Sequence, residues 1–396
     1  MEHRKRIILT SVLLAGISLD FFHRSMTGIM EREISEIAGV LDGDSRVLLS
    51  LASSLFFYAY GFSQFFLGSL LDSFGISRVT TLLLLVMGFG TLLMATGSPV
   101  LLLASRVVVG FSAAVLFLSY QRALSLYYRR DEQAWATAIG LMIGSLSALL
   151  ATYPLRLFLE RFGFVYTVIV LSTITIIVAV LLWLTSRIGL RDNGSNGSIL
   201  ITLRNLGLIA KDPHSWSVSI GTLATYGVVL SFQSSWGQLL LSDYHGLDRI
   251  VVSYYLMLLA TLFLVSSLLA GYISDKIIQK RKPILILSHV FIAVAWTLLY
   301  IIHQFRNNYL LPISIIIMGV GVGLHVVAPP MIREVYGVEV AATSIAFANI
   351  VLFIGIALLN TILPLVDPST AVLASLIITT VSTIIVAKYA RETLKQ

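Results

Sequence analysis

Uninterrupted apolar stretches of about 20 residues recur along the whole chain and constrain its fold more than any other feature. Each stretch is long enough to cross a hydrocarbon layer of roughly 30 Å as an α-helix. A helix also satisfies its own backbone hydrogen bonds in lipid. Apolar residues make up 57% of the 396 positions and charged residues only 12%, about half the share that covers a soluble surface. The sequence therefore predicts an all-α membrane protein.

The apolar stretches fall into two sets of six. The longest polar stretch lies between the sets and contains NGSNGS, which is typical of a flexible linker. We predict 12 transmembrane helices in two pseudo-symmetric six-helix bundles, over residues 1–188 and 214–396, joined by a cytoplasmic linker over 189–213. The predicted spans are residues 7–30, 47–71, 79–97, 100–126, 134–158, 164–186, 215–241, 250–273, 283–303, 309–331, 340–363 and 369–389.

The distribution of lysine and arginine predicts the orientation in the membrane. With both termini inside, 18 of the 27 basic residues fall in cytoplasmic segments and six in outer loops. We therefore expect a multi-pass protein of the cell membrane with both termini cytoplasmic. The net charge of +7 reflects these cytoplasmic loops, so no nucleic-acid partner is expected. The other three basic residues, Arg24, Arg106 and Arg122, lie inside predicted spans.

Several classes of chemistry find no support in the sequence. The chain has no cysteine, which excludes disulfides and thiol catalysis. It shows no phosphate-binding loop, no paired catalytic carboxylates and no metal-ligand cluster. We therefore expect no enzyme, no cofactor and no metal. Without an ATP-binding site, the driving force for any transport must be an ion or solute gradient.

One loop pattern occurs twice. Gly-x-x-x-Asp followed by basic residues comes after span 2, at Gly68 and Asp72 with Arg78, and again after span 8, at Gly271 and Asp275. A glycine at the end of a span lets a neighbouring helix come close, and the aspartate can face the positive N-terminus of another helix. An ordinary positively charged turn is the alternative, but two copies argue against it. We predict that these five residues form a cytoplasmic gate.

With this repeated loop, the chain resembles the major facilitator superfamily over essentially its whole length. The resemblance implies two six-helix bundles, with spans 1, 4, 7 and 10 lining a central cavity that opens alternately to each side. It also implies a monomer with a small-molecule substrate and a coupled proton or other ion. The first loop departs from the family pattern at Ser73, Ile76 and Ser77, where basic residues are usual, so its latch is expected to be weaker.

A narrower resemblance is to the organophosphate:phosphate antiporters and the anion:cation symporters. AYGFSQFFLGSLLD is similar to span 2 of the antiporters, which commonly have Lys at the position of Gln64. DFFHRSMTG is similar to span 1 of both groups, which keep an arginine at the position of Arg24. SYQRALSLYYRRDEQAWATA is similar to the end of span 4 in the symporters, which often have an arginine at the position of Arg122.

Charged residues inside span 1 have two explanations. Asp20 and Arg24 are four residues apart and share a helical face, so a purely structural ion pair is possible. Because burying an unpaired arginine in lipid costs roughly 3 kcal/mol or more, the alternative is that Arg24 binds an anionic substrate. Asp20 would then orient Arg24 or take the coupling proton. His23 is a further candidate for proton coupling.

The other two arginines inside predicted spans, Arg122 and Arg106, also have two explanations each. Arg122 lies just before Tyr127 and Tyr128, which are typical of an interfacial aromatic belt. It either extends to the inner headgroups or makes a second anion contact. Arg106 begins an Arg-x-x-x-Gly pattern seen in drug:proton antiporters, but a snorkelling or loop-paired arginine suits its position equally well. It is therefore left out of the predicted substrate site.

Polar residues in spans 2, 7 and 10 complete the predicted substrate site. Each has a packing explanation as well: a buried histidine usually has structural partners, and a tryptophan can anchor a span at the outer interface. Histidine at position 325 is also a candidate for proton coupling. The candidate substrate contacts in these three spans are Tyr60, Gln64, Tyr226, Gln233, Trp236 and His325.

The substrate class follows from the few cationic groups. The phosphate antiporters use a second arginine in span 7, but this chain has none around Val229 and Leu230, and Gln64 stands where they have lysine. We therefore expect a proton-coupled transporter of a small organic anion, such as a monocarboxylate or sugar acid. The alternative is a drug or neutral-solute:proton antiporter. A transporter-like sensor is favoured least, because no appended signalling domain is expected.

Overall fold

The computed structural model describes residues 2–39, 43–128, 130–186, 199–305, 308–336 and 338–394. These residues contain helices of the α, 3-10 and π types and no β-strand. The chain forms two compact units, Met1–Ile201 and Thr202–Gln396. The boundary between the units falls within the predicted linker, but residues 187–198 lie outside the described part of the chain. The predicted linker bounds therefore stay a prediction.

The first unit is built from eight principal α-helices within its described residues. Local sequence sets the start of α5, because Ser98 caps the first turn and Pro99 supplies a fixed φ there. The helices are α1 (Glu2–Ser25), α2 (Glu31–Ile37), α3 (Gly43–Phe74), α4 (Ile76–Leu92), α5 (Pro99–Tyr127), α6 (Arg130–Leu150), α7 (Tyr153–Phe162) and α8 (Phe164–Ser186).

Close helix crossings hold the first unit together. α5 packs against α3, α4 and α1, and α6 covers another side of α1. At Gly110 the backbones of α5 and α3 nearly touch, since a Cβ built there would lie 2.2 Å from the Phe56 carbonyl oxygen. Ser147 of α6 donates a hydrogen bond of 2.6 Å to the Ser18 carbonyl of α1. These contacts fix α1, which carries the charged residues of span 1.

The predicted all-α membrane fold is confirmed. In the described residues, eleven helices are long and apolar enough to cross a membrane, or twelve when a bent pair counts as one span. The bent pair, Ala136–Leu150 and Tyr153–Phe162, turns by 45°. The sequence predicts a span over 134–158, and the structure has this bent pair of helices there. Pro154 lacks the amide hydrogen of a continuing helix, and the chain turns at 151–152 immediately before it.

Arg156, one of the six basic residues that the sequence assigns to outer loops, lies instead within the helix α7. Its side chain is 2% exposed. The guanidinium forms an ion pair of 2.6 Å with Glu33 of α2 and donates a hydrogen bond to the Ile29 carbonyl. Arg156 therefore fastens the segment after α1 to α7.

The second unit contains the remaining spans. Prolines begin α10, α16 and α18 at their first or second positions, as expected for helix starts. Its longer helices are α10 (Pro213–Thr222), α13 (Arg249–Tyr272), α14 (Lys282–Phe305), α15 (Leu311–Leu324), α16 (Ala328–Val335), α17 (Val338–Ile362) and α18 (Pro368–Tyr389), and α9 (Ile199–Ile209) lies at the junction of the units.

Span 7 is irregular along most of its length. After α10, two short α-helical pieces, α11 (Val228–Ser231) and α12 (Gly237–Leu239), alternate with π-helical turns. π-turns insert one extra residue into a helix and are frequent at functional sites. The three π-turns of this span are Leu223–Gly227, Phe232–Trp236 and Leu240–Tyr244.

The close crossing at Gly110 gives a testable prediction. Gly110→Ala should lower the melting temperature of the purified protein, because the added methyl group meets backbone rather than a movable side chain, and overpacking costs about 1–3 kcal/mol. The matched control is Gly68→Ala in α3, where an added Cβ meets no atom within 4 Å. Equal melting temperatures for the two variants would contradict the prediction.

Candidate functional site

Asp20, Arg24 and Tyr60 form a buried polar cluster in the first unit. Nη2 of Arg24 lies 2.6 Å from Oδ2 of Asp20 and donates a hydrogen bond of 2.8 Å to the Tyr60 hydroxyl. That hydroxyl lies 3.3 Å from the same carboxylate oxygen, to which it donates. The i, i+4 spacing on α1 and the facing position on α3 thus bring together three predicted residues. The ion pair that the sequence indicated is present.

Burial sets the character of this cluster. Asp20 is 0% exposed and Arg24 5% exposed. The guanidinium of Arg24 lies 4.5 Å from the ring centre of Phe21 and 4.8 Å from that of Tyr60, within the range of cation–π attraction. Oδ1 of Asp20 has no hydrogen-bond partner among the described residues. A cation and an anion are therefore held together away from water, with one carboxylate oxygen still unsatisfied.

Gln64 and His23 lie near this cluster in sequence. Gln64 follows Tyr60 by one helical turn, and its Oε1 has no hydrogen-bond partner in the part of the chain that the structure describes. His23 is 0% exposed, and neither of its ring nitrogens has a partner within the described ranges. No hydrogen bond of the His23 ring to Asp20 or Arg24 is present among those residues.

Arg106 is buried within the first unit, which does not fit the snorkelling or loop-paired alternative that the sequence left open. Its side chain is 0% exposed. Nε donates to the Ala52 carbonyl of α3 at 3.1 Å, and Nη2 donates to the His23 carbonyl of α1 at 3.2 Å. The guanidinium also lies 4.6 Å from the ring centre of Phe56. Arg106 therefore joins three helices, and sequence reasoning missed this.

Arg122 lies far from Arg24, although the sequence predicts that both arginines contact the substrate. It follows Arg106 by 16 positions on the same helix, which is about 24 Å along the axis. Arg106 itself contacts the carbonyl of His23, next to Arg24. Arg122 is half-buried. The structure therefore does not bring Arg24 and Arg122 together.

In the second unit, Tyr226 and His325 form a stacked pair. Their ring centres are 4.7 Å apart with an angle of 8° between the planes. Phe263 of α13 lies 5.8 Å from each ring. Tyr226 lies in the first π-turn of span 7, and its ring stacks on that of His325 in span 10. Two predicted residues from spans 7 and 10 are thus in contact.

His325 stands at a break in span 10. The helix tightens to a 3-10 turn at His325–Val327, just before the two prolines of α16. Nδ1 of His325 lies 2.5 Å from the Val322 carbonyl oxygen. Because a carbonyl only accepts, Nδ1 carries the hydrogen, and Nε2 of the neutral ring is an acceptor. One ring nitrogen of His325 thus has a structural partner within its own helix, as a histidine in a packing role would.

Trp236 and Gln233 lie in the second π-turn of span 7. Trp236 is 3% exposed and stacks on the buried Trp296 at 5.7 Å, so the interfacial-anchor explanation for Trp236 is wrong. Gln233 is 7% exposed. Its Nε2, the Ser235 hydroxyl and both side-chain polar atoms of Gln238 have no hydrogen-bond partner in the described residues. Span 7 therefore holds several buried polar atoms that protein groups leave unsatisfied.

The structure describes the predicted gate residues in part. A Cβ built at Gly68 or Gly271 meets no described atom within 4 Å, so close packing within its own unit does not explain either glycine. Arg78 is exposed, and the side chain of Asp72 lies outside the described residues. Asp275 is 3.5 Å from Nη1 of Arg281.

Arg281 is the centre of a wider polar network in the second unit. It forms two hydrogen bonds with Glu334, from Nε at 3.0 Å and Nη2 at 2.8 Å. The carboxylate of Glu392 accepts hydrogen bonds from the backbone amides of Arg281 and Lys282 at 2.8 and 3.1 Å. Burial opposes ionisation of Glu392, but these amide hydrogen bonds lower its pKa. The C-terminal segment is thereby tied to the end of α16.

Asp212 organises a second network nearby. Its carboxylate caps α10 through the His214 amide at 3.0 Å, pairs with Arg391 and accepts from the Tyr336 hydroxyl at 3.1 Å. Burial raises the pKa of Asp212, but the His214, Arg391 and Tyr336 contacts outweigh it and lower the pKa. The charged form of Asp212 is therefore part of the folded structure.

Comparison with known proteins identifies the class. The sequence matches a model of the Major Facilitator Superfamily over residues 8–359. The chain therefore belongs to the Major Facilitator Superfamily of transporters and is not an enzyme. A 135-residue stretch is 27% identical to the uncharacterized transporter YybO of Bacillus subtilis (strain 168). It covers 34% of this chain and 30% of that relative.

Solved structures share the fold. A D-xylose-proton symporter crystal structure superposes with a TM-score of 0.78 at 12% identity, covering 98% of each chain. The partially occluded, inward-open xylose transporter XylE from E. coli gives 0.76 at 13% identity over 99% of each chain. An inward-facing bacterial homolog of the human lysosomal transporter Spinster gives 0.73 at 15% identity over 96% of each chain.

The Asp212 network gives a pH-dependent prediction. A carboxylate whose pKa is lowered by folding stabilises above its unfolded pKa of about 3.9, and the stabilisation is lost as pH falls through the folded value. Asp212→Asn should therefore lower the melting temperature at about pH 7, and its difference from wild type should shrink below about pH 4. The matched comparison is Asp367→Asn, because Asp367 also caps a helix but is exposed and has no arginine among the groups that shift its pKa. The hydrogen bonds of Thr370 lower the pKa of Asp367, so its variant should show the same direction of pH dependence with a smaller loss. A difference that does not change with pH would contradict the prediction.

Proposed function

We propose that the chain is a secondary active transporter that moves a small organic anion, of the monocarboxylate or sugar-acid class, by alternating access and together with a proton. We further propose that it works as a monomer in the cell membrane, with both termini cytoplasmic. The observation that carries the proposal is the buried cluster of Asp20, Arg24 and Tyr60.

Arg24 is the proposed anion contact. Burying a guanidinium inside a membrane-spanning bundle is costly unless it pairs with an anion. Arg24 has hydrogen bonds to Asp20 and Tyr60 at 2.6 and 2.8 Å, so its position is fixed before any substrate binds. A planar guanidinium held in this way suits a carboxylate, which it can bind through two parallel hydrogen bonds.

The charge balance of the cluster couples the substrate to a proton. With Asp20 ionised, the pair is neutral, and an anionic substrate would compete with Asp20 for the guanidinium. When Asp20 takes a proton, the pair becomes a single positive charge that attracts one negative charge. Oδ1 of Asp20, which has no partner among the described residues, is the proposed proton site. The anion and the proton therefore bind together. His23 and His325 remain secondary candidates for carrying the proton.

Neutral side chains of the second unit are the proposed contacts for the rest of the substrate. The sequence of span 7 between Pro213 and Tyr244 contains no lysine or arginine. It offers instead aromatic rings and amide groups, which suit an uncharged or hydroxylated body. Arg24 is the one cationic residue of the buried cluster, and this span has none, which fits a singly charged anion better than a phosphate ester. The proposed contacts besides Arg24 are Tyr60, Gln64, Tyr226, Gln233, Trp236 and His325. Arg122 remains a proposed contact outside this cluster, because it lies about 24 Å from Arg106 along α5.

The repeated loops remain the proposed cytoplasmic gate. Asp275 and Arg281 already form an ion pair within the second unit, which supports a latch role for that loop. The exposed Arg78 of the first loop has the charge to interact with an acidic partner. The proposed gate residues are Gly68, Asp72, Arg78, Gly271 and Asp275.

A neutral-solute:proton antiporter is the second candidate. It is favoured by one observation: the charge of Arg24 is already balanced by Asp20, so the cluster as it stands is neutral. The fold is also shared with a D-xylose-proton symporter. In this case Arg24 would hold Asp20 in place and would not contact the substrate.

Removal of Arg24 tests the anion contact. Arg24→Ala should lower uptake of the anion by proteoliposomes by roughly 10- to 150-fold, since a hydrogen bond to a charged group contributes about 1.5–3 kcal/mol. Tyr60→Phe removes a neutral hydroxyl and should cost roughly tenfold or less. The substrate is found first, by screening monocarboxylates, sugar acids, phosphate esters and neutral sugars for thermal stabilisation of the purified protein.

Arg24→Ala leaves the buried Asp20 without its cation, which could prevent folding. The double variant Asp20→Asn/Arg24→Ala removes both charges and leaves no unpaired buried charge, so it separates folding from recognition. If either variant folds and transports the anion normally, Arg24 is not the anion contact. Stabilisation by phosphate esters without any carboxylate would overturn the substrate class, and stabilisation by neutral sugars alone would favour the second candidate.

Asp20→Asn tests the coupling. Asparagine keeps the shape of the side chain but takes no proton and leaves Arg24 permanently positive. We expect this variant to bind and exchange the anion with little dependence on pH, and to lose accumulation driven by a proton gradient. The measurement is uptake against exchange in the same proteoliposomes, with the pH varied on the outside. Gradient-driven accumulation equal to that of the wild type would show that Asp20 does not carry the proton.

A further inference from the structure

Two histidines that are 58 positions apart in sequence meet at one end of the second unit. His245 follows the last π-turn of span 7, and His303 lies in the last turn of α14. Nε2 of His245 is 3.3 Å from Nδ1 of His303. The ring centres are 5.3 Å apart, with 61° between the planes. Both side chains are half-buried. The roles proposed above for Asp20, Arg24 and Tyr60 do not involve these two histidines.

Asn308 fixes the hydrogen positions of His245. The side-chain nitrogen of Asn308 donates to the His245 carbonyl at 3.2 Å, and a carbonyl accepts only. The amide oxygen of Asn308 therefore faces Nδ1 of His245, at 2.8 Å. Nδ1 must then carry the hydrogen, so Nε2 of the neutral ring presents its lone pair to His303. Metal-binding histidines are usually oriented in this way, by a second hydrogen bond from the ring nitrogen that does not bind the metal.

We propose that Nε2 of His245 and Nδ1 of His303 bind a divalent transition-metal ion of the zinc type. Two imidazole nitrogens on a tetrahedral ion, at bonds of 2.0–2.1 Å, lie about 3.3 Å apart, with ring centres about 5.2 Å apart. The structure has 3.3 and 5.3 Å. Binding requires a tautomer change at His303, whose proton moves from Nδ1 to Nε2 of the same ring.

The surroundings define an open site. Among the described residues, no group of three or more His, Asp or Glu side chains is arranged around one point, so water completes the coordination. Asp243 lies close in sequence, but it accepts from Ser242 at 2.9 Å and faces Arg249 at 4.0 Å. Imidazole ligands favour zinc, copper or nickel over magnesium or calcium. An ion here would link the end of span 7 to the end of span 9.

Titration of the purified full-length protein with Zn²⁺ tests the proposal. The protein should carry an affinity tag without histidine, and binding should be followed by calorimetry and by melting temperature. We expect one Zn²⁺ per chain. Loss of one of the two ligands should reduce affinity more than loss of an outer partner, which typically costs roughly 10- to 100-fold. His245→Ala and His303→Ala should therefore abolish measurable binding, and Asn308→Ala should weaken it.

The matched control is Gln304→Ala, an exposed neighbour of His303, which should bind Zn²⁺ as the wild type does. If the alanine variants are not monodisperse, His245→Gln and His303→Gln keep a polar side chain of similar size and should also lose binding. Absence of saturable binding up to about 1 mM Zn²⁺, or equal binding by both histidine variants and the wild type, would show that the histidines form only a hydrogen-bonded pair. Neither result depends on the transported substrate.

Discussion

The contacts of the Arg106 guanidinium join three helices of the first unit, and the placement of α1 depends on them. The Arg106 side chain is 0% exposed and forms no ion pair with a carboxylate among the described residues. Its partners are the carbonyls of His23 and Ala52 and the ring of Phe56. The His23 carbonyl lies in the last turn of α1, where carbonyls lack partners within the helix and carry partial negative charge. Arg106 thus replaces a missing helix bond with a charge-assisted one.

This contact also decides where the candidate site can be. Arg106 donates to the His23 carbonyl, next to Arg24 in the chain, and Arg24 donates to the Tyr60 hydroxyl of α3. A fixed turn holds the guanidinium of Arg24 in place without help from a substrate. Preorganisation of this kind lets binding free energy go to the substrate rather than to ordering the protein.

Sequence reasoning predicted features that depend on local pattern and missed those that depend on packing. Apolar length gave the spans, and the i, i+4 spacing gave the Asp20–Arg24 pair. Pro154 was visible in the sequence, but whether a proline bends or breaks a span depends on the groups around it. The burial of Arg106, the π-turns of span 7 and the meeting of His245 with His303 arise from contacts between distant segments, for which no local signal exists. Arg122 shows the converse, since a motif match does not give its distance from Arg24.

Charge balance links the site to energetics. In the proposed cycle a singly charged anion binds only after Asp20 has taken a proton, so the loaded cluster carries the same net charge as the empty one. The pair of ligands that crosses the membrane is then neutral. A membrane potential does work of about 2.3 kcal/mol per elementary charge per 100 mV, and on a neutral pair it does none. The proposed transport would therefore respond to the pH gradient and not to voltage. A second cation in contact with the substrate would remove this property, because it would hold an anion without a proton. The guanidinium of Arg106 instead donates to the backbone carbonyls of Ala52 and His23.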